Sequence, residues 1–235
     1  MLADQSIIDM ILHVDETLVN LIRDYGSGTY AILWGIIFCE TGLVVMPFLP
    51  GDSLLFAAGL FARPDKGLDI ITLLLLLPTA SIIGDTVNFH IGKFFGKRLF
   101  KSDDARIFKK SHLNKTKEFF DHYGAKTIII GRFVPIVRTL APFVAGMEVM
   151  TFKRFFPLSI LGAYIWVLTC TLAGYFFGGI PWVEQNFEKV ILIIVGLSLL
   201  LIVKEFIGTL RKDKMAKKSM ESAGEAEPQT SESNS

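Results

Sequence analysis

The sequence predicts an all-α membrane protein with two re-entrant hairpins, each followed by a transmembrane helix, in which the second half is an inverted repeat of the first. A C-terminal transmembrane helix and an N-terminal amphipathic helix complete the predicted fold. Three observations support this prediction: long apolar runs, an uneven distribution of basic residues, and short motifs that recur in the same order in both halves.

The apolar residues are concentrated in long runs at 70–83, 155–177 and 190–203. Hydrophobic residues make up 51% of the 235 residues, a share that soluble domains also reach, so their distribution decides the class. Runs of about 18 or more apolar residues are candidates for membrane-spanning helices. The sequence therefore predicts crossing helices here, the last one over residues 189–208.

Basic residues predict the orientation of these helices. Residues 93–126 contain ten basic and four acidic residues, and residues 204–218 contain six basic and two acidic. Because Lys and Arg accumulate on the cytoplasmic side, we expect both stretches, and with them the C-terminus, to be cytoplasmic. The short segments 62–69 and 179–188 then lie outside.

The remaining apolar segments begin and end on one side, so each is predicted to be a re-entrant hairpin. Residues 127–150 enter from the cytoplasm and are broken by Pro135 and Pro142. Residues 29–61 enter from outside and are interrupted by Pro47, Pro50 and Gly51. Irregular backbone is tolerated at membrane depth where protein covers it or where it lines a wet cavity.

Short motifs support an internal repeat. Phe-Leu-Pro at 48–50 precedes Phe-Ala-Ala-Gly at 56–59, as Phe-Val-Pro at 133–135 precedes Phe-Val-Ala-Gly at 143–146. Gly-Lys-Phe-Phe-Gly at 92–96 is matched by Gly-Tyr-Phe-Phe-Gly at 174–178. Because each half makes an odd number of passes, the repeat is inverted. Inverted repeats with broken helices are the architecture of many secondary transporters.

The termini are predicted to flank a single membrane domain. Residues 1–28 combine helically spaced apolar residues with acidic ones, which predicts an amphipathic interfacial helix and no cleavable signal peptide. The membrane domain spans residues 29–208 and includes the basic stretch 93–126. Residues 209–235 are basic at first and then rich in Ser and Glu, which is typical of a disordered tail.

Five ionisable residues lie in otherwise apolar segments: Glu40, Asp52, Asp85, Arg132 and Arg138. A charge at the bilayer centre costs about 2.5–3.5 kcal/mol on insertion scales. One interpretation is structural, in which acids and arginines pair and lock the hairpins together. The other is a working site, because such a pair used for structure alone could be replaced by apolar packing at little loss.

In the working-site interpretation, Arg132 and Arg138 bind substrate, because the guanidinium fork binds phosphate or carboxylate in a bidentate way. Pro135 between them allows both arginines to point into one cavity. Glu40 and Asp52 are the candidates for proton coupling, since a carboxyl group in an apolar setting can take up a proton near neutral pH.

Other polar residues have two interpretations each. Asp85 and Asn88 share a helix face and form either a polar packing site or part of the transport pathway. Asp52 follows Pro50 and Gly51, where a simple turn residue is the alternative. The basic stretch 93–126 favours contact with anionic lipid headgroups and lacks the features of a nucleic-acid-binding module.

The sequence does not indicate an enzyme. It shows no nucleophile–base pair and no glycine-rich phosphate loop. The four histidines have no metal-ligand spacing, so we expect no metal and no cofactor. Cys39 and Cys170 are best explained as small buried residues. The sequence leaves open whether the chain forms a homo-oligomer.

Several motifs in order resemble the DedA family of bacterial inner-membrane proteins, part of the wider group of SNARE-associated Golgi proteins (VTT domain). The resemblance covers roughly residues 15–208, with one departure at Asn88-Phe89, where many members have a nearby tyrosine. The motifs are Phe-Cys-Glu-Thr-Gly at 38–42, Pro-Phe-Leu-Pro-Gly-Asp at 47–52, Gly-Asp at 84–85, Gly-Arg-Phe-Val-Pro-Ile-Val-Arg at 131–138 and Ala-Gly at 145–146.

The resemblance implies a lipid-linked function in the bacterial inner membrane. Some family members are reported to recycle undecaprenyl phosphate, and others are tied to maintenance of the proton-motive force. By motif, the family's membrane-embedded functional residues match Glu40, Asp52, Arg132 and Arg138. We therefore expect a proton-linked translocase of a lipid phosphate. A proton-coupled transporter of small ions or drugs is one alternative, and a non-transporting membrane assembly factor is another.

Overall fold

The structure is a computed structural model that describes residues 14–43, 51–64, 66–99, 110–186, 189, 190 and 193. By internal contacts the chain divides into two units, Met1–Ser198 and Leu199–Ser235, and every described residue belongs to the first. The described part is helical and contains no strand, which confirms an all-α protein. Its helices are α1 Val14–Tyr25, α2 Gly28–Gly42, α3 Gly51–Phe61, α4 Ile70–Leu99, α5 Lys110–Tyr123, α6 Thr127–Ile130, α7 Pro135–Val144, α8 Phe152–Phe177 and α9 Pro181–Gln185.

Two helices are long and apolar enough to cross a membrane, over Ile70–Gly96 in α4 and Phe152–Phe177 in α8. They coincide with the first two apolar runs of the sequence. Both helices extend further into polar sequence than those runs: α4 continues to Leu99, and α8 takes Lys153 and Arg154 into its first turn. Polar residues can remain helical at the ends of such helices because lysine and arginine side chains reach the headgroup region.

The beginning of α4 is capped by Asp69. Its carboxylate accepts hydrogen bonds from the backbone N–H and the hydroxyl of Thr72, both at 2.7 Å. A helix begins with unsatisfied N–H groups, which an aspartate just before the first turn can satisfy. The bonds from Thr72 stabilise the carboxylate and so lower the pKa of Asp69 from its ordinary value.

Short helices occupy the two segments predicted to be hairpins. The first segment contains α2 and α3, and the second contains α6, a 3₁₀ turn and α7. Val134 separates the 3₁₀ turn from α7 in an extended conformation, because a residue before proline avoids the helical region. Pro135 then occupies the first turn of α7, where its missing N–H costs nothing. That these segments re-enter the membrane stays a prediction.

The two long helices each receive a short helix. α3 packs along α8, and α7 with the π-helical turn Ala145–Val149 packs along α4. α2 also packs on α4. One buried apolar cluster surrounds Trp166, and a second surrounds Phe155. The polar site described below lies where these helices meet.

Glycines bring the backbones together at both crossings. In the first, Gly174 lies against the carbonyl of Phe56, and Gly59 lies against the carbonyl of Thr171. A Cβ atom at either glycine would overlap the facing backbone. Small residues allow this close approach of helices in membranes.

The second crossing uses glycines at the corresponding places. Gly92 lies against the carbonyl of Phe143, and Gly146 lies against the carbonyl of Phe89. The spacing is shared: on each helix in both crossings, the two members stand at positions i and i+3. These are the glycines of the recurring sequence motifs, so the motifs mark backbone contacts.

Several predicted features fall wholly or partly outside the described residues. α1 confirms the helical character of residues 14–25 within the predicted N-terminal helix, and its Leu18 is buried. The predicted outside loop at 179–188 contains the short helix α9. The features outside the description are residues 1–13, Pro47 and Pro50, residues 100–109 of the basic stretch, nearly all of the helix predicted at 189–208, and the tail at 209–235.

Candidate functional site

The centre of the candidate site is Arg138 on α7, which lies between two acidic residues from α2 and α3. Its Nη2 donates to Glu40 Oε1 at 2.5 Å, and its Nη1 donates to Asp52 Oδ1 at 2.7 Å. Arg138 and Glu40 are buried, whereas 27% of the Asp52 side chain is exposed. Asp52 is therefore the member of this cluster that is most open to the surroundings.

Trp166 on α8 completes this cluster. Its indole Nε1 donates to Asp52 Oδ1 at 2.6 Å, so this oxygen accepts from both Trp166 and Arg138. The guanidinium carbon of Arg138 also lies 4.8 Å from the centroid of the Trp166 ring, a distance at which the cation is attracted to the ring. Trp166 is fully buried.

Glu40 has a second donor as well. The backbone N–H of Gly51 donates to Glu40 Oε1 at 3.2 Å, beside the bond from Arg138. A Cβ atom at Gly51 would overlap the Glu40 carboxylate, so any side chain there would displace that carboxylate. Glu40 Oε2 and Arg138 Nε have no hydrogen-bond partner among the described residues. The cluster thus contains one acceptor and one donor that are available for further hydrogen bonds.

Arg132 belongs to a second cluster. It forms an ion pair with Asp85, and both side chains are buried. Its Nη1 donates to Ser81 Oγ at 2.8 Å, and its Nη2 donates to the carbonyl oxygen of Ser159 at 3.1 Å. Ser159 Oγ donates to Asp85 at 2.6 Å. Gly162 leaves the room that the Arg132 side chain occupies.

Asn88 connects the elements that carry the first cluster. Its side-chain amide donates to the carbonyl oxygens of Thr41 at 3.1 Å and Thr139 at 2.8 Å. These residues immediately follow Glu40 and Arg138 in the chain. Asn88 on α4 therefore fixes the backbone of α2 and α7 next to the ion pair, which assigns it a packing contact at the site.

The structure brings Glu40, Asp52 and Arg138 together, as a pairing of acids with arginines requires. It gives Arg132 a different partner, Asp85, for which the sequence had left open a polar packing site or a part of the transport pathway. Gly51 lies at the cluster, Pro135 begins α7, and Pro50 lies outside the described residues.

Sequence reasoning missed Trp166, Ser81 and Ser159. A helical spacing could have indicated them. Ser159, Gly162 and Trp166 stand at positions i, i+3 and i+7 of α8, and so share one face. Ser81, Asp85 and Asn88 share a face of α4 at i, i+4 and i+7. Polar residues that recur on one face of an apolar helix indicate a buried polar contact.

Apolar helices of spanning length around buried ion pairs define a membrane protein. The chain belongs to the DedA family, because a model of the VTT domain matches residues 49–176.

Relatives agree with this assignment. Protein DedA of Escherichia coli K12 is 49% identical over 211 residues, which cover 89% of this chain and 95% of the relative. An uncharacterized membrane protein of Mycobacterium tuberculosis is 42% identical over 75% of this chain and 78% of its own. Inner membrane protein YghB of Salmonella typhimurium is 32% identical over 78% of this chain and 84% of its own. No solved structure matches the chain.

Proposed function

We propose that this protein is a proton-linked translocase of a lipid phosphate in the bacterial inner membrane, with undecaprenyl phosphate as the expected substrate. The observation that carries the proposal is Arg138, which is buried between Glu40 and Asp52. A guanidinium fork that holds two carboxylate oxygens presents the geometry that two phosphate oxygens would accept. The phosphate headgroup would take the place of the carboxylates.

Charge explains why protons would be linked to this exchange. With both acids ionised, the cluster of one arginine and two carboxylates has one excess negative charge, which opposes an incoming anion. Proton uptake by Glu40 or Asp52 removes this excess and weakens one bond to Arg138. A phosphate group can then occupy the freed N–H, and loss of the proton on the other side of the membrane resets the site.

Arg132 is the second candidate for the phosphate contact. It is held by Asp85 and by neutral oxygens of Ser81 and Ser159, so it must exchange more partners than Arg138 to reach a ligand. The order of engagement that we propose is therefore Arg138 first and Arg132 second. The polyprenyl tail would stay in lipid beside the hairpins.

The two glycine crossings support the proposed architecture. In each of the two crossings, a short helix from one half packs through glycine against the long helix of the other half, with the same spacing of contacts. In the predicted topology one short helix would enter from outside and the other from the cytoplasm. Broken helices that meet in this way form the substrate sites of many secondary transporters.

The test is reconstitution of the purified protein into vesicles that contain a lipid phosphate, with an assay of headgroup accessibility on the two faces. We expect the native protein to equilibrate the lipid between the two faces. Arg138→Ala should lower the rate of equilibration by about tenfold or more, because it removes a charged contact. Lysine at both positions, Arg132→Lys with Arg138→Lys, keeps the charge but loses the fork. Transport at the native rate by this double variant would contradict the phosphate-binding role.

The same vesicles distinguish the alternatives. Ion flux driven by a pH gradient in vesicles that lack any lipid phosphate would favour the small-ion transporter. The partial exposure of Asp52 is the observation that favours this second candidate. An assembly factor predicts that Glu40→Gln, if it folds, supports growth of a deletion strain as well as the native protein does.

A further inference from the structure

Trp166 is the part of the site whose role is still unassigned. It comes from α8, whereas the three charged residues come from α2, α3 and α7. A tryptophan N–H is a hydrogen-bond donor only, so it cannot take up a proton. Its partner is Asp52 Oδ1, the same oxygen that Arg138 holds. The question is therefore why one carboxylate oxygen needs two donors.

Each oxygen that Arg138 contacts has a second donor that is neutral. Asp52 Oδ1 has the Trp166 N–H at 2.6 Å, and Glu40 Oε1 has the Gly51 N–H at 3.2 Å. A buried acceptor that loses its donor pays the full cost of desolvation, whereas one that keeps a donor pays much less. A neutral donor on each oxygen would allow Arg138 to leave without stranding either acid.

We propose that Trp166 is a positioning residue that keeps Asp52 hydrogen-bonded when Arg138 leaves it for a phosphate group, a role that rests on the proposed function. The Trp166 ring lies beside the Arg138 guanidinium and attracts it in either partnership. Trp166 thus lowers the free-energy cost to Asp52 when Arg138 exchanges partners. Its ring also keeps the guanidinium of Arg138 nearby.

A double-mutant cycle on stability tests this role without any ligand. Trp166→Phe keeps an aromatic ring and removes the N–H, and Arg138→Gln removes the arginine. Each single variant removes one of the two donors described for Asp52 Oδ1, and the double variant removes both, because the amide of glutamine ends two bonds short of the arginine Nη1. We expect the double variant to lower the melting temperature in detergent by more than the two single variants together. The additional decrease should be about 3 °C or more.

Trp34 provides a matched control. Its N–H donates to the hydroxyl of Thr79 at 3.0 Å, away from the charged cluster. Trp34→Phe combined with Arg138→Gln should be additive. The excess for Trp166→Phe should also vanish with Asp52→Asn, which has no carboxylate to strand. Additive effects of Trp166→Phe and Arg138→Gln in the native background would overturn the proposal.

Folding failures are part of this design. A Trp166→Phe/Arg138→Gln protein that does not fold, while both single variants and the Trp34 control do, counts as the expected excess. Where Arg138→Gln itself does not fold, Arg138→Met takes its place, because methionine has no N–H that could donate to Asp52.

Binding of inorganic phosphate provides the second measurement. We expect Trp166→Phe to weaken phosphate binding about tenfold, because Asp52 would lose its tryptophan donor as well as Arg138 when phosphate is bound. Trp34→Phe should leave phosphate binding unchanged. In Asp52→Asn, Trp166→Phe should have no further effect on phosphate affinity. If Trp166→Phe does not weaken binding, the exchange role is wrong. If the native protein binds neither phosphate nor a lipid phosphate, the proposed function fails, and the stability cycle alone decides whether Trp166 is the second donor.

Discussion

Arg132 and Arg138 are held by different kinds of acceptor. Arg132 donates to two serine residues as well as to Asp85, whereas its counterpart has carboxylates as its acceptors among the described side chains. Neutral acceptors fix an arginine without competing through charge. At the scale of single residues, Arg132 is therefore built into the packing, whereas Arg138 is held by the carboxylates of Glu40 and Asp52.

Removal of Asp85 should therefore damage folding. Asp85→Asn keeps the shape of the side chain but leaves the buried Arg132 without its counter-charge. Loss of one member of a buried pair costs about 3–5 kcal/mol of unfolding free energy. The measurement is denaturant unfolding in detergent micelles. The double variant Asp85→Asn/Arg132→Gln should recover part of the loss because no charge is stranded.

Asp52→Asn is the matched comparison for that experiment. Asp52 is partly exposed, and Arg138 keeps Glu40 as a counter-charge. We expect a smaller loss of stability than for Asp85→Asn. Equal losses would mean that the two clusters do not differ in the way their burial indicates.

The elements of the fold are joined by glycine at two equivalent crossings, of α3 with α8 and of α7 with α4. The short helices carry Asp52 and Arg138. The crossings determine how closely these two residues approach the long helices. Since each crossing places a glycine against a carbonyl of the facing helix, any side chain there pushes two elements apart. The effect is on the distance between elements and so on the site.

Alanine at either crossing should destabilise the protein. Gly174→Ala and Gly92→Ala each place a methyl group against backbone, which costs about 1–3 kcal/mol by overpacking. We expect both to lower the melting temperature. Gly35→Ala in α2 is the control, because a Cβ at Gly35 meets nothing within 4 Å and alanine favours helix. A Gly174→Ala protein as stable as Gly35→Ala would contradict the close crossing.

At the scale of the whole molecule, the basic residues predict an orientation in the membrane. The sequence predicts α5 on the cytoplasmic side and α9 outside. The proposed exchange of protons and phosphate requires this orientation, because the two predicted hairpins would have to be reached from opposite faces of the membrane. The orientation of the chain can be measured independently of transport.

Thiol labelling in intact cells measures it. In a protein whose Cys39 and Cys170 are replaced by alanine, cysteine is introduced at the exposed positions Glu118 and Trp182. We expect a membrane-impermeant reagent to label Trp182→Cys in intact cells and Glu118→Cys only after permeabilisation. The parent without cysteine controls for background. Labelling of Glu118→Cys in intact cells would contradict the prediction that α5 is cytoplasmic.

The sequence alone accounts for much of the fold because its signals are local. Apolar runs predicted α4 and α8, and Pro135 was predicted to break its segment, where the structure has the beginning of α7. The recurring motifs predicted a repeat, whereas the place of their glycines at the two crossings came from the structure. The charged residues were identified by their mismatch with apolar surroundings. Local signals do not determine which partner a charged residue has. From the sequence alone, Asp85 could have faced water, another helix or either arginine.

The sequence by itself determined the membrane class, the family and the five ionisable residues within apolar segments, since composition and the order of motifs are properties of the chain. The tertiary structure decided that Arg138 takes Glu40 and Asp52, that Arg132 takes Asp85, and that Trp166 reaches Asp52 from 114 residues away. The physical reason is that a buried charge needs a partner somewhere, whereas which partner it finds depends on how closely the glycine crossings allow distant helices to approach.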